Sequence, residues 1–396
     1  VSNLYSPLQS LQEGNWFKLI CGASFQALPD IRSLVLAYTL AGADCIDVAA
    51  DPAVIAAAKE AIEVSKILSD RAIAKGFGYR GIPWLMVSLN DGEDPHFRKA
   101  QFDSTLCPVD CSRPCLTVCP AGAIYFEEKR VESTFSGVID QRCYGCGRCL
   151  PVCPSQLIDT RSYVSTPTAI APLIRSMDID AIEIHTSVGR EADFQRLWQA
   201  IAPESDRLKL LAISCPDAPD YVDYLDCLYQ IISPLPCALI WQTDGRPMSG
   251  DIGAGTTHAA IKLAQKALAA NLPGYVQLAG GTNDYTVHKL QAFGLLKRVD
   301  LQIRKNQQQI NNIAGIAYGS YARSLLLPIL EKLETSTQKK LHEKLLNRSG
   351  NEPINEGLEN DADLLWEAVA IANSLVKQIK LSTSSISHIN EPIKLN

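Results

Sequence analysis

CPVDCSRPCLTVCP (Cys107–Pro120) and CYGCGRCLPVCP (Cys143–Pro154) are the stretches on which the reading of this chain turns. In the second, Cys143, Cys146, Cys149 and Cys153 are separated by two, two and three residues, and Pro154 closes the run. That is the ligand spacing of a bacterial-type iron–sulfur run. Three thiolates two residues apart wrap one corner of a cubane, and the fourth, followed by proline, serves the other cluster in two-cluster ferredoxins. Gly145 and Gly147 let the backbone pass where a side chain would collide. Amide N–H groups pointing at the sulfurs then help to set the reduction potential.

The first run is a variant: Cys107, Cys111, Cys115 and Cys119 are each three residues apart, again with a closing proline, Pro120. AGAIYF (121–126) follows the first run and SQLI (155–158) the second, and GVIDQR (137–142) leads into the second. The pair resembles a duplicated ferredoxin module with two pseudo-symmetric halves. That resemblance implies two [4Fe–4S] clusters, one on Cys143, Cys146, Cys149 and Cys119, the other on Cys107, Cys111, Cys115 and Cys153. The wider spacing of the first run leaves a [3Fe–4S] cluster open at that site. Zinc also accepts paired thiolates, but eight cysteines in this order with two Cys-Pro endings argue for clusters. A disulfide framework needs an oxidising compartment, to which nothing in the chain points.

The 396 residues carry a net charge of −6 and no long basic run, which argues against nucleic acid as a partner. Residues 1–15 are polar without an apolar core, so no signal peptide is expected. No apolar run has the length of a transmembrane segment. Thirteen cysteines without a secretion signal imply a reducing, cytoplasmic setting. The five outside the two runs, Cys21, Cys45, Cys215, Cys227 and Cys237, lie in apolar segments and read mostly as small buried residues.

Outward from the cysteines, the chain alternates strand and helix. Three strands are expected before them, at Trp16–Ala23, Asp44–Ala49 and Ile82–Leu89, with helices over Pro29–Ala41 and Ala53–Ser69; Asp51-Pro52 is a good helix start. Asn90–Asp103 reads as a charged linker and Tyr163–Pro172 as an exit linker that becomes a helix. Five more strands follow, at Ala181–His185, Leu208–Cys215, Cys237–Thr243, Gly274–Ala279 and Ile313–Gly319, with helices between them and a last one over Ala322–Leu333. Eight β/α units predict a (β/α)8 barrel with an inserted α+β, ferredoxin-like domain after strand three; the alternative is an open doubly wound sheet. Without the insertion the barrel spans about 256 residues, close to the ~250 typical of the fold. The expected organisation is 16–102, first barrel part; 103–160, cysteine module; 161–330, second barrel part; 331–396, C-terminal helices and a polar tail. Within that last part, Glu331–Leu346 reads as a charged helix, Asn347–Asn360 as a linker and Asp361–Lys380 as an amphipathic helix that packs on the barrel or serves a partner. The last sixteen residues read as disordered.

Active sites in this fold sit where strands end. After strand seven come Gly280, Gly281 and Thr282, and after strand eight Gly319 and Ser320, a candidate phosphate cradle of backbone N–H groups and a helix start. This resembles the phosphate grip of flavin-mononucleotide barrels and makes FMN or another phosphate ligand a candidate. Such barrels commonly place a lysine at an inner strand end, and strands four to six have none; Lys18 and Lys209 lie near strand starts. The long glycine-rich loop Thr243–His258, with Arg246, reads as an anion-binding lid or a plain surface loop. Glu183 and His185 at the end of strand four, Arg190 beyond it and Cys215 at the end of strand five complete the candidates for catalysis.

With the cysteine runs, DGRPMSGDIGAGTTHA (244–259) and LAGGTNDYT (278–286) in hand, the whole chain resembles the light-dependent period protein family of cyanobacteria. The resemblance implies an iron–sulfur protein that tunes circadian period to light through cellular redox state and associates with clock-input proteins. Three function classes stand side by side. One is a redox sensor or relay fed by a quinone or soluble electron carrier. The second is a flavin- or phosphate-ligand-dependent oxidoreductase fed by its own clusters. The third is an interaction scaffold with structural clusters. Electron transfer is expected ahead of substrate conversion.

Overall fold

In a computed structural model of the chain, the described residues are 6–21, 28–92, 98–119, 122–126, 137–139, 143, 148–162, 167–245, 255–297, 312–347 and 357–382. The strands among them are β1 (Trp16–Ile20), β2 (Cys45–Ala49), β3 (Trp84–Asn90), β4 (Arg98–Gln101), β5 (Asp159–Ser162), β6 (Ala181–His185), β7 (Leu210–Pro216), β8 (Ala238–Asp244), β9 (Tyr275–Ala279) and β10 (Gly315–Tyr318). Eight of them form a closed parallel barrel in the order β1-β2-β3-β6-β7-β8-β9-β10, and β10 pairs back to β1. β4 and β5 form a separate antiparallel pair between the third and fourth barrel strands. The sequence-predicted barrel and its interruption after strand three are therefore observed, and the open sheet is excluded by the β1–β10 ladder.

The strands read as nearly continuous apolar runs because both faces are covered. On β1, Phe17 and Leu19 pack into the helix layer, while Trp16 and Lys18 face inward. The floor of the barrel is Trp16, Trp84, Met86, Leu210 and Ile240, closed from below by Leu11. A Cβ on Gly315 would fall 2.5 Å from Trp16 Cβ, so this floor requires a glycine opposite the tryptophan.

Leu11 belongs to a helix, Pro7–Glu13, in the stretch read from sequence as merely polar. Seven residues with two leucines are too short for a periodic signal; packing against the barrel floor, not propensity, makes this helix. Two further readings are corrected, one of a linker and one of a helix boundary. The stretch 90–103 contains β4, which exists because β5 pairs with it from 58 or more residues downstream, a contact no local pattern encodes. The helices expected over Ala322–Leu333 and Glu331–Leu346 are one helix, Ser320–Asn347, which carries Pro328 in its interior.

The C-terminal helix, Ala362–Ser382, packs on the barrel rather than standing free. Leu365, Ala368, Val369, Ala372, Leu375, Val376 and Ile379 recur at helical spacing and are buried in the main core. Asp361 caps its start through Leu364 N (3.1 Å), as expected. The predicted disordered tail falls almost wholly on residues 383–396, outside the described residues, although the helix itself runs to Ser382. No helix among the described residues is long and apolar enough to cross a membrane.

One buried ion pair fastens this end of the molecule. Lys380 Nζ meets Asp44 Oδ2 and lies 3.2 Å from Ser10 Oγ, while Asp44 also accepts from Ser10 Oγ (2.8 Å) and Phe17 N (2.6 Å). First helix, first strand and last helix are thus tied at the barrel bottom. Lys380→Met should leave Asp44 buried without its cation and cost about 3–5 kcal/mol in urea unfolding, with bound iron unchanged because the site lies at the opposite end from the insertion.

Candidate functional site

The cysteine module is rooted on the barrel mouth, the end at which the parallel strands finish. Lys99 on β4 is 4% exposed and pairs with Asp51 at 2.8 Å. Asp51 stands just beyond β2 and also caps the helix Pro52–Ala74 through Ala53 N (2.8 Å). Its second carboxylate oxygen is what the insertion uses as an anchor.

Two short helices, Pro114–Val118 and Cys149–Val152, carry the pseudo-symmetry of the sequence, since each is followed at once by the cysteine of a Cys-Pro ending, Cys119 or Cys153. A bridge between Ile124 and Val138 joins the halves. The module's core is Ala100, Phe102, Ala123, Ile124, Val138 and Ile158 together with Cys115, Cys143 and Cys149, with Cys119 and Cys153 packed against it. So small an apolar core is marginal by itself, the situation in which metals or disulfides commonly supply stability. No disulfide joins any of the described cysteines.

The structure brings Cys107, Cys111, Cys115 and Cys153 together. Burial raises the Cys107 thiol, and Cys111 and Cys115 beside it raise it further; burial also raises Cys115, with Cys153 and Cys111 adding to it. Burial pushes Cys153 the same way, yet the backbone N–H groups of Ile158, Leu157, Ser155 and Gln156 outweigh that and bring it below the ordinary thiol value. Gln156 is in the left-handed region (φ 52°), which lets successive N–H groups converge on one atom. Cys119 Sγ accepts from Ala123 N (3.2 Å) and Cys111 Sγ from Arg113 N (3.4 Å). Donors aimed at sulfur fit thiolate ligands of an iron–sulfur cluster. Among the described residues no three His, Cys, Asp or Glu side chains close around a single metal ion; a cubane spreads its thiolates over separate corners. Of the other expected quartet, Cys119, Cys143 and Cys149 share the module core, and Cys146 lies outside the described residues with Gly145 and Gly147.

Inside the barrel, above the apolar floor, the structure assembles a charged network that the sequence showed only in part. The sequence places Lys18 near a strand start. It is in fact the central residue of β1, fully buried, and reaches across the barrel to Glu183 Oε2, with Asp47 Oδ2 at 3.4 Å and Met86 Sδ at 3.7 Å. The available signal was parity, because Lys18 lies two residues from Trp16 and so shares its inward face. Glu183 Oε1 accepts from His185 Nε2 (3.0 Å) and Gln242 Nε2 (2.6 Å). Gln242 Oε1 accepts from Gln277 Nε2 (2.7 Å), whose own Oε1 accepts from Trp16 Nε1 (2.7 Å). Ser88 donates to Asp47 (2.6 Å) and Ser214 to Asp244. Burial works to raise Glu183, but Lys18 and His185 outweigh it and hold the carboxyl at about 2. Burial works to lower His185, but the Glu183 charge and hydrogen bond lift it to about 9. Asp47 is pushed up to about 6 by burial, against the pull of Lys18.

Glu183 and His185 are thus brought together, as neighbours on one inward face. Cys215 is not. Strand alternation turns Ser214 inward and Cys215 outward into the helix layer, where burial lifts its thiol to about 12, so its assignment to the mouth is corrected. Arg190 is spent on Asp91 (3.0 Å) and Asp193 (3.2 Å). Arg246 and residues 246–254 of the long loop lie outside the described residues. At the expected phosphate cradle, Gly280 and Gly281 adopt positive φ (61° and 96°), and Gly281 O accepts from Thr256 Oγ1 (2.9 Å) and Thr257 Oγ1 (3.2 Å). Thr282 donates to Ala317 O (2.7 Å), and Ser320 Oγ accepts from Arg323 Nη2 (2.9 Å). The Thr256, Thr257 and Thr282 hydroxyls donate within the protein and Arg323 also donates to Ile20 O (3.1 Å), whereas Ser320, an acceptor here, keeps its own proton to offer an anion beside the backbone N–H groups of Gly319 and its neighbours. Of the remaining cysteines, Cys21 and Cys45 are buried as read from sequence, Cys237 is partly so, and Cys227 is exposed.

The raised His185 value has a consequence for stability. Its protonated form is favoured by folding, so the contribution is complete below the unfolded value near 6.5 and is lost as pH rises through about 9. Asp47, whose carboxyl is also raised, makes stability fall with pH in the same sense but over a lower window, which ends at about 6. The unfolding midpoint should therefore fall between pH of about 6.5 and about 9, and His185→Gln should flatten that part of the profile.

Comparison with known proteins places these features. The family model of the light dependent period A C-terminal domain matches residues 173–378, and that of the LdpA Fe-S cluster-binding domain matches residues 107–164. The chain is similar to the protein named Light dependent period A of Synechococcus elongatus, 49% identical over 327 residues that cover 83% of this chain and 85% of that one. Among solved structures, a putative fructose-1,6-biphosphate aldolase from Coccidioides immitis aligns over 96% of this chain and 94% of its own at 9% identity and a TM-score of 0.36. A (S)-3-O-geranylgeranylglyceryl phosphate synthase from Thermoplasma acidophilum aligns over 82% and 92% at 13% identity and a TM-score of 0.28. Both scores are too low to establish kinship, and the barrel stands on its own strand order. With an Fe-S cluster-binding domain set into its barrel and nearly half its aligned residues shared with that relative, the chain belongs to the light dependent period A family.

Proposed function

We propose that the chain is an iron–sulfur electron relay that couples cellular redox state to light-dependent control of period, the circadian role that family membership suggests. The observation that carries the reading is the convergence of Cys107, Cys111, Cys115 and Cys153, with four backbone N–H groups around the last. These four would hold one cluster, and Cys119, Cys143, Cys146 and Cys149 the other, as two [4Fe–4S] centres; the first site also admits a [3Fe–4S] form. When bound, such clusters supply one-electron exchange at low potential. The backbone donors at Cys153, Cys119 and Cys111 stabilise negative charge on sulfur.

Leu106, Val109 and Leu116 stand exposed beside Cys107, Cys111 and Cys115, Val109 completely so. They offer an apolar approach for an electron donor, either a quinone or a soluble carrier. Clock-input proteins are the partners that family membership suggests for the output. A phosphate-ligand or FMN-dependent oxidoreductase is the second reading. It is favoured by the Lys18–Glu183–His185 network lying at the same barrel end as the module, and weakened by a cradle whose Thr282 hydroxyl and Arg323 guanidinium already donate within the protein.

Protein purified without oxygen should hold about eight irons and give a paramagnetic signal on dithionite reduction. Cys115→Ser should lower iron to about four per chain, and cells carrying it should lose the response of period to light intensity. A zinc-only protein, or clusters that dithionite leaves silent, would sink the relay; an unaltered light response in the variant would sink its link to period.

A further inference from the structure

We propose that the mouth of the barrel is a second binding site, separate from the cysteines, for a small uncharged hydroxycarbonyl compound, with His185 donating to its carbonyl oxygen and Asp244 accepting from its hydroxyl. A buried set of one lysine, one histidine and three carboxylates is a poor way to stabilise a barrel, because apolar residues of similar volume do as well or better. Such a set, with acid and base values driven apart, marks functional sites more often than structural ones. None of the cysteine ligands belongs to it, so the relay leaves it unexplained.

The network has a closed side and an open side. Lys18 is committed to Glu183 and Asp47, and Glu183 to Lys18, His185 and Gln242. Gln277 and Trp16 finish that side with a chain of amide hydrogen bonds. His185 and Asp244 face the other way. The His185 side chain is 34% exposed, and its Nε2 is held by Glu183, which leaves Nδ1 without a hydrogen-bond partner among the described residues. Asp244 is partly exposed, the last residue of β8, and takes Ser214 on Oδ2 only, so Oδ1 is open. Ser214 lies opposite His185 in the β6–β7 register and hydrogen-bonds Asp244 on β8, so donor and acceptor stand on strands either side of β7 with its hydroxyl between them.

The choice of ligand follows from charge. An anion drawn to His185 meets Asp244, Glu183 and Asp47; a cation drawn to Asp244 meets His185 and Lys18. A neutral molecule that presents an acceptor beside a donor satisfies both open groups without either penalty. Lys18 and Glu183 do not touch this ligand. They are positioning residues: Glu183 keeps His185 protonated and oriented, and Lys18 keeps Glu183 ionised and in place.

Hydroxyacetone, with acetone and acetate as controls, tests the assignment on the full cluster-loaded protein. The readout is the carbon-13 signal of labelled histidine, of which the chain has six, with His185 assigned from His185→Asn. Near neutral pH hydroxyacetone should move the His185 signal saturably. Acetone, lacking the hydroxyl, should bind about tenfold or more weakly, and acetate at equal ionic strength should leave the titration unchanged. Asp244→Asn should weaken hydroxyacetone by about tenfold while iron content stays at the wild-type level. In the wild type, binding should also fade as pH rises through about 9, a measurement that needs no variant to fold. An unmoved His185 signal, equal binding of acetone and hydroxyacetone, or undiminished binding at higher pH would each overturn the proposal. Because iron content and histidine shifts are read separately, failure here leaves the relay standing, and loss of the clusters does not by itself remove this site.

Discussion

Lys18 and Glu183 meet, both fully buried, in the centre of the barrel, and much of the interior is arranged around that encounter. Two opposite charges in a low-dielectric interior attract strongly, but each has left water at a cost of several kcal/mol, so the remaining lone pairs and protons must also be matched. Asp47, His185 and Gln242 do the matching at first hand, and Ser88, Gln277 and Trp16 hold those groups in turn. The result divides the interior into an apolar floor and a polar mouth. Leu11 seals the floor, and the mouth keeps the open groups.

The same division explains where the cysteine module sits. A parallel barrel delivers every strand end to one rim, so an insertion after β3 necessarily leaves from the mouth side. Lys99 then anchors it to Asp51, a residue already engaged in starting the helix after β2. One carboxylate therefore serves both the barrel's own secondary structure and its guest. The module contributes little apolar surface of its own, and its cysteines are as much its core as its chemistry.

At the opposite end the first and last helices share the Lys380–Asp44 pair, which makes closure of the floor depend on segments far apart in the chain. The apolar stripe of the last helix covers helices that are themselves part of the barrel wall, so the two ends of the molecule are stabilised by different means. The bottom is closed by packing and one buried charge pair; the top is left polar and is crowned by sulfur.

Several features of this protein were legible in its residues before any coordinates. Cys143, Cys146, Cys149 and Cys153 announce their chemistry because a ligand run is a local constraint, written in spacing. Eight strand–helix units announce a barrel because each strand, covered on both faces, is a short apolar run whatever its neighbours. Glu183 and His185 are adjacent on one strand face, so their partnership too is local. What tertiary structure alone decided is everything that depends on closure. Lys18 becomes the partner of Glu183 only when β1 and β6 lie across the same barrel, 165 residues apart in sequence. β4 becomes a strand only when β5 returns beside it, and Cys215 is excluded from the mouth by the direction its strand faces. Spacing along the chain encodes which atoms can ligate; the sense of each side chain, inward or outward, is set by the closed sheet.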